Sequence, residues 1–197
     1  MKITHHTTLL NALIEKHNLK SYLEIGVQNP ANNFDKIECD SKVGVDPEVK
    51  DRVEVYEGTS DEYFIGYGQE GDRTMHDIVF IDGLHHADQV KRDFENSLAC
   101  LNDCGFIVIH DCLPTDEATT KVPRETKVWH GDVYKFCMQM RNYWMVDYKT
   151  FDIDHGCMVI WKNKNNKPKN SIHMKCNWEL FSGSKKKLLN IVDEVTI

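Results

Sequence analysis

An α/β fold, built on a doubly wound and mostly parallel sheet, is predicted by three features of the sequence. Four apolar runs, 21–27 (SYLEIGV), 43–46 (VGVD), 77–83 (DIVFIDG) and 105–111 (GFIVIHD), each carry a polar residue at or near the C-terminal end. Buried parallel strands read as such short aliphatic runs, and their C-terminal ends face the crevice where open α/β sheets bind ligands. Between strands, Val90, Phe94, Leu98 and Leu101 recur at helical spacing with Lys91, Arg92 and Glu95 on the other face, the pattern of a crossover helix. Finally, Glu24 and Asp46 close two successive strands about twenty residues apart, the separation at which a second strand presents a carboxylate to ribose hydroxyls.

The elements follow in order. Leu9, Leu10, Leu13 and Ile14 make residues 1–19 an amphipathic helix. After the first strand, 28–34 (QNPANNF) is a turn feeding a short helix towards Cys39, with Pro30 suited to a first helical turn. Residues 53–57 alternate as a third strand, and Gly58 to Glu62 supply a turn and a helix cap ahead of Tyr63 and Phe64. The fourth strand ends at Asp82, the crossover helix spans 87–101, and the fifth strand spans 105–110. Residues 111–127 are too polar for a core and read as a lid or binding loop. A helix over 129–141, strands over 143–152 and 156–162 joined by Asp154-His155-Gly156, a polar connector from 163 and a terminal helix over 177–192 complete the chain. The organisation expected is one domain over 1–197, with an N-terminal helix (1–19), a core (20–162) and a connector with C-terminal helix (163–197).

Composition narrows the function classes. Hydrophobic residues make up 41% and charged residues 28% of the chain, near globular averages, and no apolar run approaches the roughly 18 residues of a membrane span. The first twenty residues lack the apolar core and cleavage site of a secretory signal, so a cytoplasmic protein with no membrane partner is expected. A net charge of −7 argues against a nucleic-acid partner, and Lys185-Lys186-Lys187 reads as a solvated helix face. Seven scattered cysteines without a Cys-x-x-Cys pair read as reduced thiols, Cys100, Cys104 and Cys112 included.

The chemistry concentrates in histidines and carboxylates. His85, His86, His110, His130 and His155 all map to loops or strand ends on the edge of the sheet that carries Asp82 and Asp111, whereas His5, His6, His17, His76 and His173 read as packing or solvated residues. Two roles stay open. Asp82, His110 and Asp111 form a candidate divalent-metal set, in which imidazole favours Mn, Fe, Zn or Ni over Mg. Alternatively His85 or His110 is a general base, its ordinary pKa lying near neutrality. Arg124, Lys127 and residues 129–132 form a region expected to close over a substrate.

The series of strand ends, with Glu24 and Gly26 in the first and Ile81-Asp82-Gly83 followed by His85 in the fourth, resembles the class I S-adenosylmethionine-dependent methyltransferases, in particular the small-molecule O-methyltransferase branch related to methyltransferase domain family 24. The resemblance runs over residues 20–162. It implies a Rossmann-like, seven-stranded sheet with an antiparallel final strand and S-adenosylmethionine held by Glu24, Gly26, Asp46, Thr59, Ser60, Asp61 and Asp82. It further implies catalysis by Asp82, His85 and His110, with a divalent ion (Mg, Mn or Fe) at Asp82, His110 and Asp111 as a second cofactor. Two positions depart from the pattern: Pro30 stands where the last glycine of the cofactor loop is usual, and Leu84 where macrocin-type enzymes carry another Asp. The function implied is O-methylation of a small hydroxylated molecule or a sugar or glycan component, with a homodimer left open as the assembly. A His/carboxylate metal-dependent oxygenase and a non-catalytic cofactor- or glycan-binding module are the alternatives.

Overall fold

The computed structural model describes residues 3–66, 74–163 and 173–192. Strands β1 (Ser21–Ile25), β2 (Ser41–Asp46), β3 (Val55–Glu57), β4 (His76–Ile81), β5 (Leu101–Ile109), β6 (Val146–Phe151), β7 (Cys157–Lys162) and β8 (Ile191–Val192) form one sheet in the order β3-β2-β1-β4-β5-β7-β6-β8. Only β7 runs against its neighbours β5 and β6; the other pairings are parallel. The doubly wound, mostly parallel architecture is therefore present, with eight strands in place of the seven expected. Helices α1 (His6–His17), α2 (Ser60–Gly66), α3 (Ala87–Ala99), α4 (Val133–Cys137) and α5 (Trp178–Leu188) complete the chain.

Alternation along the central strands divides the core in two, because successive side chains point to opposite faces. Tyr22, Ile78, Phe80 and Val108 pack with Leu9, Leu10, Leu13 and Ile14 of α1 on one face. Leu23, Ile25, Val79, Ile81, Ile107 and Ile109 pack with Phe94, Phe136 and Phe181 on the other. Asn18, in the left-handed conformation, ends α1 and turns the chain into β1. No helix among the described residues is long and apolar enough to cross a membrane.

Four boundaries differ from the sequence reading, each for a local reason. The helix expected over 129–141 shrinks to α4 and a 3-10 turn at Met140–Asn142, because Gly131 at φ +58 lies against the His85 backbone and Asp132 accepts the Ala87 N–H. The terminal helix stops at Leu188, where Thr150 Oγ1 donates to the Leu189 carbonyl and Asn190 donates to the Tyr148 carbonyl, drawing the next two residues onto β6 as β8. β5 starts at Leu101, so α3 ends two residues early, and β3 starts at Val55, leaving Val53 exposed. Most of the expected connector, 164–172, lies outside the described residues.

Parallel register sets the strand tips side by side: Ile25 is level with Val45 and Ile81, and Ile81 with Ile109. The tightest point is Gly26, at φ +90, where an added Cβ would lie 2.3 Å from the Asp82 carbonyl oxygen. Here the glycine serves close approach of two chain segments. Gly26→Ala is accordingly expected to cost about 3 kcal/mol, from backbone strain plus overpacking, and to lower the melting temperature by roughly 6–12 °C. An unchanged melting curve would refute this.

Candidate active site

His110 follows the last residue of β5 and is buried. Its Nε2–H donates to the Asp154 carbonyl at 2.7 Å, and its Nδ1 lies 3.0 Å from Asp82 Oδ1. A second ring proton would place a positive charge between these two acceptors. Burial opposes that charge, but Asp82, Asp154 and Asp111 outweigh it and hold the His110 pKa well above the ordinary range. Burial likewise resists ionisation of Asp82, and His110 and His85 together overcome it, keeping its carboxyl well below the usual value.

His85 completes this arrangement. Its Nδ1 is 3.1 Å from the Trp129 carbonyl and 3.2 Å from Asp111 Oδ2, its Nε2 is 3.5 Å from Asp82 Oδ1, and its ring stacks on Trp129. Burial lowers its pKa, but Asp82 and Asp111 raise it further, so the net shift is upward. Both candidate bases thus sit against carboxylates that favour their protonated forms. Asp111, at φ +58, is the carboxylate whose pKa burial raises, with the Asp82 charge adding to it and His110 opposing. His110 Nδ1 is 3.7 Å from Asp111 Oδ1.

Two residues the sequence reading passed over belong here. Asp154, in the β6–β7 turn, accepts from His6 Nδ1 (2.5 Å) and from the His6 backbone N–H (3.1 Å), with His5 Nε2 at 3.4 Å. Burial opposes its ionisation, yet His110 and His6 hold it far below the usual carboxylate range. The His6 ring also stacks on Phe80 and meets His110 edge-on. No local pattern could pair residues 148 apart; the available signal was that an antiparallel β7 must return the β6–β7 turn to the edge where β5 ends.

Residues expected around the cofactor divide into two groups. Glu24 is buried, accepts from the Tyr22 hydroxyl and from Asn33 Nδ2 (2.9 Å), and its pKa is pushed up to about 8 by burial, against those two hydrogen bonds. Asp46 accepts the backbone N–H of Gln28 and of Glu48, each at 2.8 Å. Both acids thus grip the loop between β1 and the 3-10 turn at Phe34–Lys36, one at Asn33 and one at Gln28. Within that loop Pro30 accepts the Asp35 N–H, so the missing glycine is replaced by an ordered turn. Thr59 and Glu62 cap the start of α2. Ser60 and Asp61 turn towards α3 instead: Ser60 Oγ donates to Asp93 at 2.6 Å, and Asp61 accepts from Gln89 and Arg92. These bonds dock α2 on α3, and buried Asp93 takes its donors from Ser60 and Gln89.

A cleft of about 430 Å³ is lined by Leu84, His86, Asp88, Arg92, Val122 and Lys135 among others, and by none of Asp82, His85, His110 and Asp111. Arg124, expected near a substrate, folds back over Trp129 and donates to the Thr126 carbonyl.

Residues 6–112, more than half of the chain, match the model of the Methyltransf_24 family, described as a methyltransferase domain. No curated protein sequence matches the chain. Among solved structures, an O-methyltransferase from Bacillus cereus in complex with SAH is 15% identical with a TM-score of 0.61, covering 80% of each chain. The O-methyltransferase TomG from Streptomyces achromogenes, involved in tomaymycin synthesis and in complex with SAM, is 14% identical with a TM-score of 0.60, covering 80% of this chain and 79% of its own. MycE, from the mycinamycin biosynthetic pathway, in complex with Mg, SAH and mycinamycin VI, is 15% identical with a TM-score of 0.53, covering 84% of this chain and 50% of its own. At these identities the structures establish a shared fold.

Proposed function

The chain belongs to the methyltransferase domain family, a group of class I S-adenosylmethionine-dependent methyltransferases, and on that premise we propose that it methylates a hydroxyl oxygen of a small hydroxylated molecule or of a sugar or glycan component. The observation that carries this reading is the cluster of Asp82, His110 and Asp111 at the tips of β4 and β5, beside the loop gripped by Glu24 and Asp46. Methyl transfer needs little covalent help, because the sulfonium is already activated; positioning and removal of one proton supply most of the effect. The acceptor oxygen attacks the methyl carbon, the carbon–sulfur bond breaks to leave the neutral thioether, and the hydroxyl proton passes to the cluster. Asp111, with its pKa raised, is the carboxylate best matched to take that proton.

The same cluster suits a divalent ion. One ligand atom from each of Asp82, His110 and Asp111 lies within 4.8 Å of the others. His110 donates through Nε2 to the Asp154 carbonyl, which leaves Nδ1 directed at the carboxylates, the orientation a ligating imidazole adopts. Asp82, His110 and Asp111 would hold the ion, Mg, Mn or Fe, and it would acidify and orient the acceptor hydroxyl.

Calorimetry with S-adenosylmethionine tests the reading. Asp46→Ala removes a carboxylate that holds the Gln28 and Glu48 amides, a loss of about 1.5–3 kcal/mol for hydrogen bonds to a charged group, and is expected to weaken binding by roughly 10- to 100-fold. No binding by the folded native chain would sink the proposal. Transfer of a labelled methyl group separates the enzyme from a binding module, and iron-dependent oxygen uptake would point to the oxygenase instead.

A further inference from the structure

His5 and His6, which read as packing or solvated residues in the sequence, gather with a third group outside the cluster of Asp82, His110 and Asp111. One ligand atom from each of His5, His6 and Asp154 lies within 4.8 Å of the others. His5 Nε2 is 3.4 Å and His6 Nδ1 2.5 Å from the same Asp154 oxygen, and the two rings stand 4.0 Å apart, centroid to centroid. The backbone brings them together. His5 caps α1 and His6 opens it, while Asp154 and His155, at φ +46 and +63, turn the chain from β6 into β7 at the same place.

The hydrogen bonds around His5 leave a place for a cation. Thr7 Oγ1 donates to Asn33 Oδ1 at 2.8 Å, so towards His5 Nδ1, 3.1 Å away, it accepts. That puts the ring proton on Nδ1 and turns a bare Nε2 lone pair on the Asp154 carboxylate. The Thr7 N–H also approaches Nδ1, in the longer contact of 3.3 Å. Burial and the adjacent His6 lower the His5 pKa, against Asp154, so near pH 7 the ring mostly lacks the second proton that would bridge the gap. His110 Nε2, 3.7 Å from the same carboxylate, is turned to the Asp154 carbonyl and stays outside the set.

We propose that His5, His6 and Asp154 form a second metal site, for Zn²⁺ or a neighbouring late first-row ion, which ties the start of α1 to the β6–β7 turn. It rests on none of the chemistry proposed above. Zinc bonds to imidazole nitrogen and carboxylate oxygen are about 2.0–2.2 Å long, so tetrahedral ligands stand about 3.4 Å apart. The His5–Asp154 separation already has that length. His6 and Asp154 share a proton instead. Ligands bind deprotonated, so the ion takes that proton's place and the pair parts by about 1 Å. Imidazole suits Zn and Ni, whereas Mg is served by oxygen ligands. The His5 side chain is 49% exposed, against 13% for His6 and 17% for Asp154, which opens a path for the ion and a place for water as fourth ligand. The site also bears on the cluster, since the Asp154 carbonyl accepts from His110 Nε2.

The test titrates Zn²⁺ into Asp111→Asn, in which the cluster at the tips of β4 and β5 is broken, and into the same chain carrying His5→Gln as well. Asp111→Asn is expected to bind Zn²⁺ in calorimetry and, at a hundredfold excess over Kd, to gain roughly 5–10 °C in melting temperature. Adding His5→Gln is expected to weaken Zn²⁺ by at least roughly tenfold and to remove most of that gain. No Zn²⁺ binding by folded Asp111→Asn, or equal affinity with and without His5, would overturn the inference. S-adenosylmethionine binding, measured on the same chains, reports on the proposed function separately, so either can fail alone. Should a variant fail to fold, crystals of the native chain soaked in Zn²⁺ decide: an anomalous scattering peak between His5, His6 and Asp154 supports the site, and none there overturns it.

Discussion

Asp82→Asn is expected to lower methyl transfer at saturating S-adenosylmethionine by about 10³-fold, within the range for loss of a positioned acid–base group, while cofactor affinity changes by less than tenfold. The asymmetry follows from which atoms do what. The Asp82 carboxylate faces His110 at 3.0 Å and His85 at 3.5 Å, so its charge organises both rings. Its backbone, by contrast, meets the cofactor loop: the Asp82 N–H donates to the Ile25 carbonyl, and its carbonyl oxygen fills the space beside Gly26. Asparagine keeps the volume, the backbone contacts and an accepting oxygen, but it removes the charge that faces both imidazole rings and any share in holding an ion. Single-turnover transfer and calorimetry on the same variant separate the two effects. A rate loss below tenfold, or loss of binding with the bound rate intact, would move Asp82 from the chemistry to the cofactor.

The placement of Asp82 and His110 was legible because parallel strands of matched length bring their ends together, and four aliphatic runs with polar residues at or near their C-terminal ends mark them. Register then makes Ile81 level with Ile109, so the residues that follow each meet without further information. What the sequence could not convey was which polar residues the structure uses for itself. A Thr-Ser-Asp turn after a strand suits either a ligand or a helix, and the bonds that Ser60 and Asp61 make to Gln89, Arg92 and Asp93 depend on α3, some thirty residues on. His6 and Asp154 were invisible for the opposite reason. His6 opens an amphipathic helix and Asp154 sits in a hairpin turn, and only the folded sheet carries both to His110. The eighth strand, two residues long, has no periodicity to detect, and its pairing depends on Thr150 and Asn190 binding the chain after α5.

Glu24→Gln is expected to flatten the pH dependence of stability between about pH 4.5 and 8. Glu24 lies on β1 beneath the cofactor loop, 1% exposed, and burial raises its pKa to about 8 from an ordinary value of 4.5, despite hydrogen bonds from Tyr22 and Asn33 that favour the carboxylate. Between those two values the folded chain keeps the proton while the unfolded chain releases it. The folded state then binds more protons, so its stability falls as pH rises, by about 1.4 kcal/mol per unit, and levels off once Glu24 ionises in the folded chain as well. For a chain of this size that slope corresponds to roughly 3–5 °C of melting temperature per pH unit. His110 and His85, with pKa values raised in the folded chain, tilt the curve the same way at higher pH, and the difference between native and Glu24→Gln curves cancels them. Parallel curves would show that Glu24 is ionised at neutral pH. A converging pair would show that it supports the loop as a neutral group, sharing its oxygen between Tyr22 and Asn33, and that the sulfonium of the cofactor meets its counter-charge elsewhere in the site.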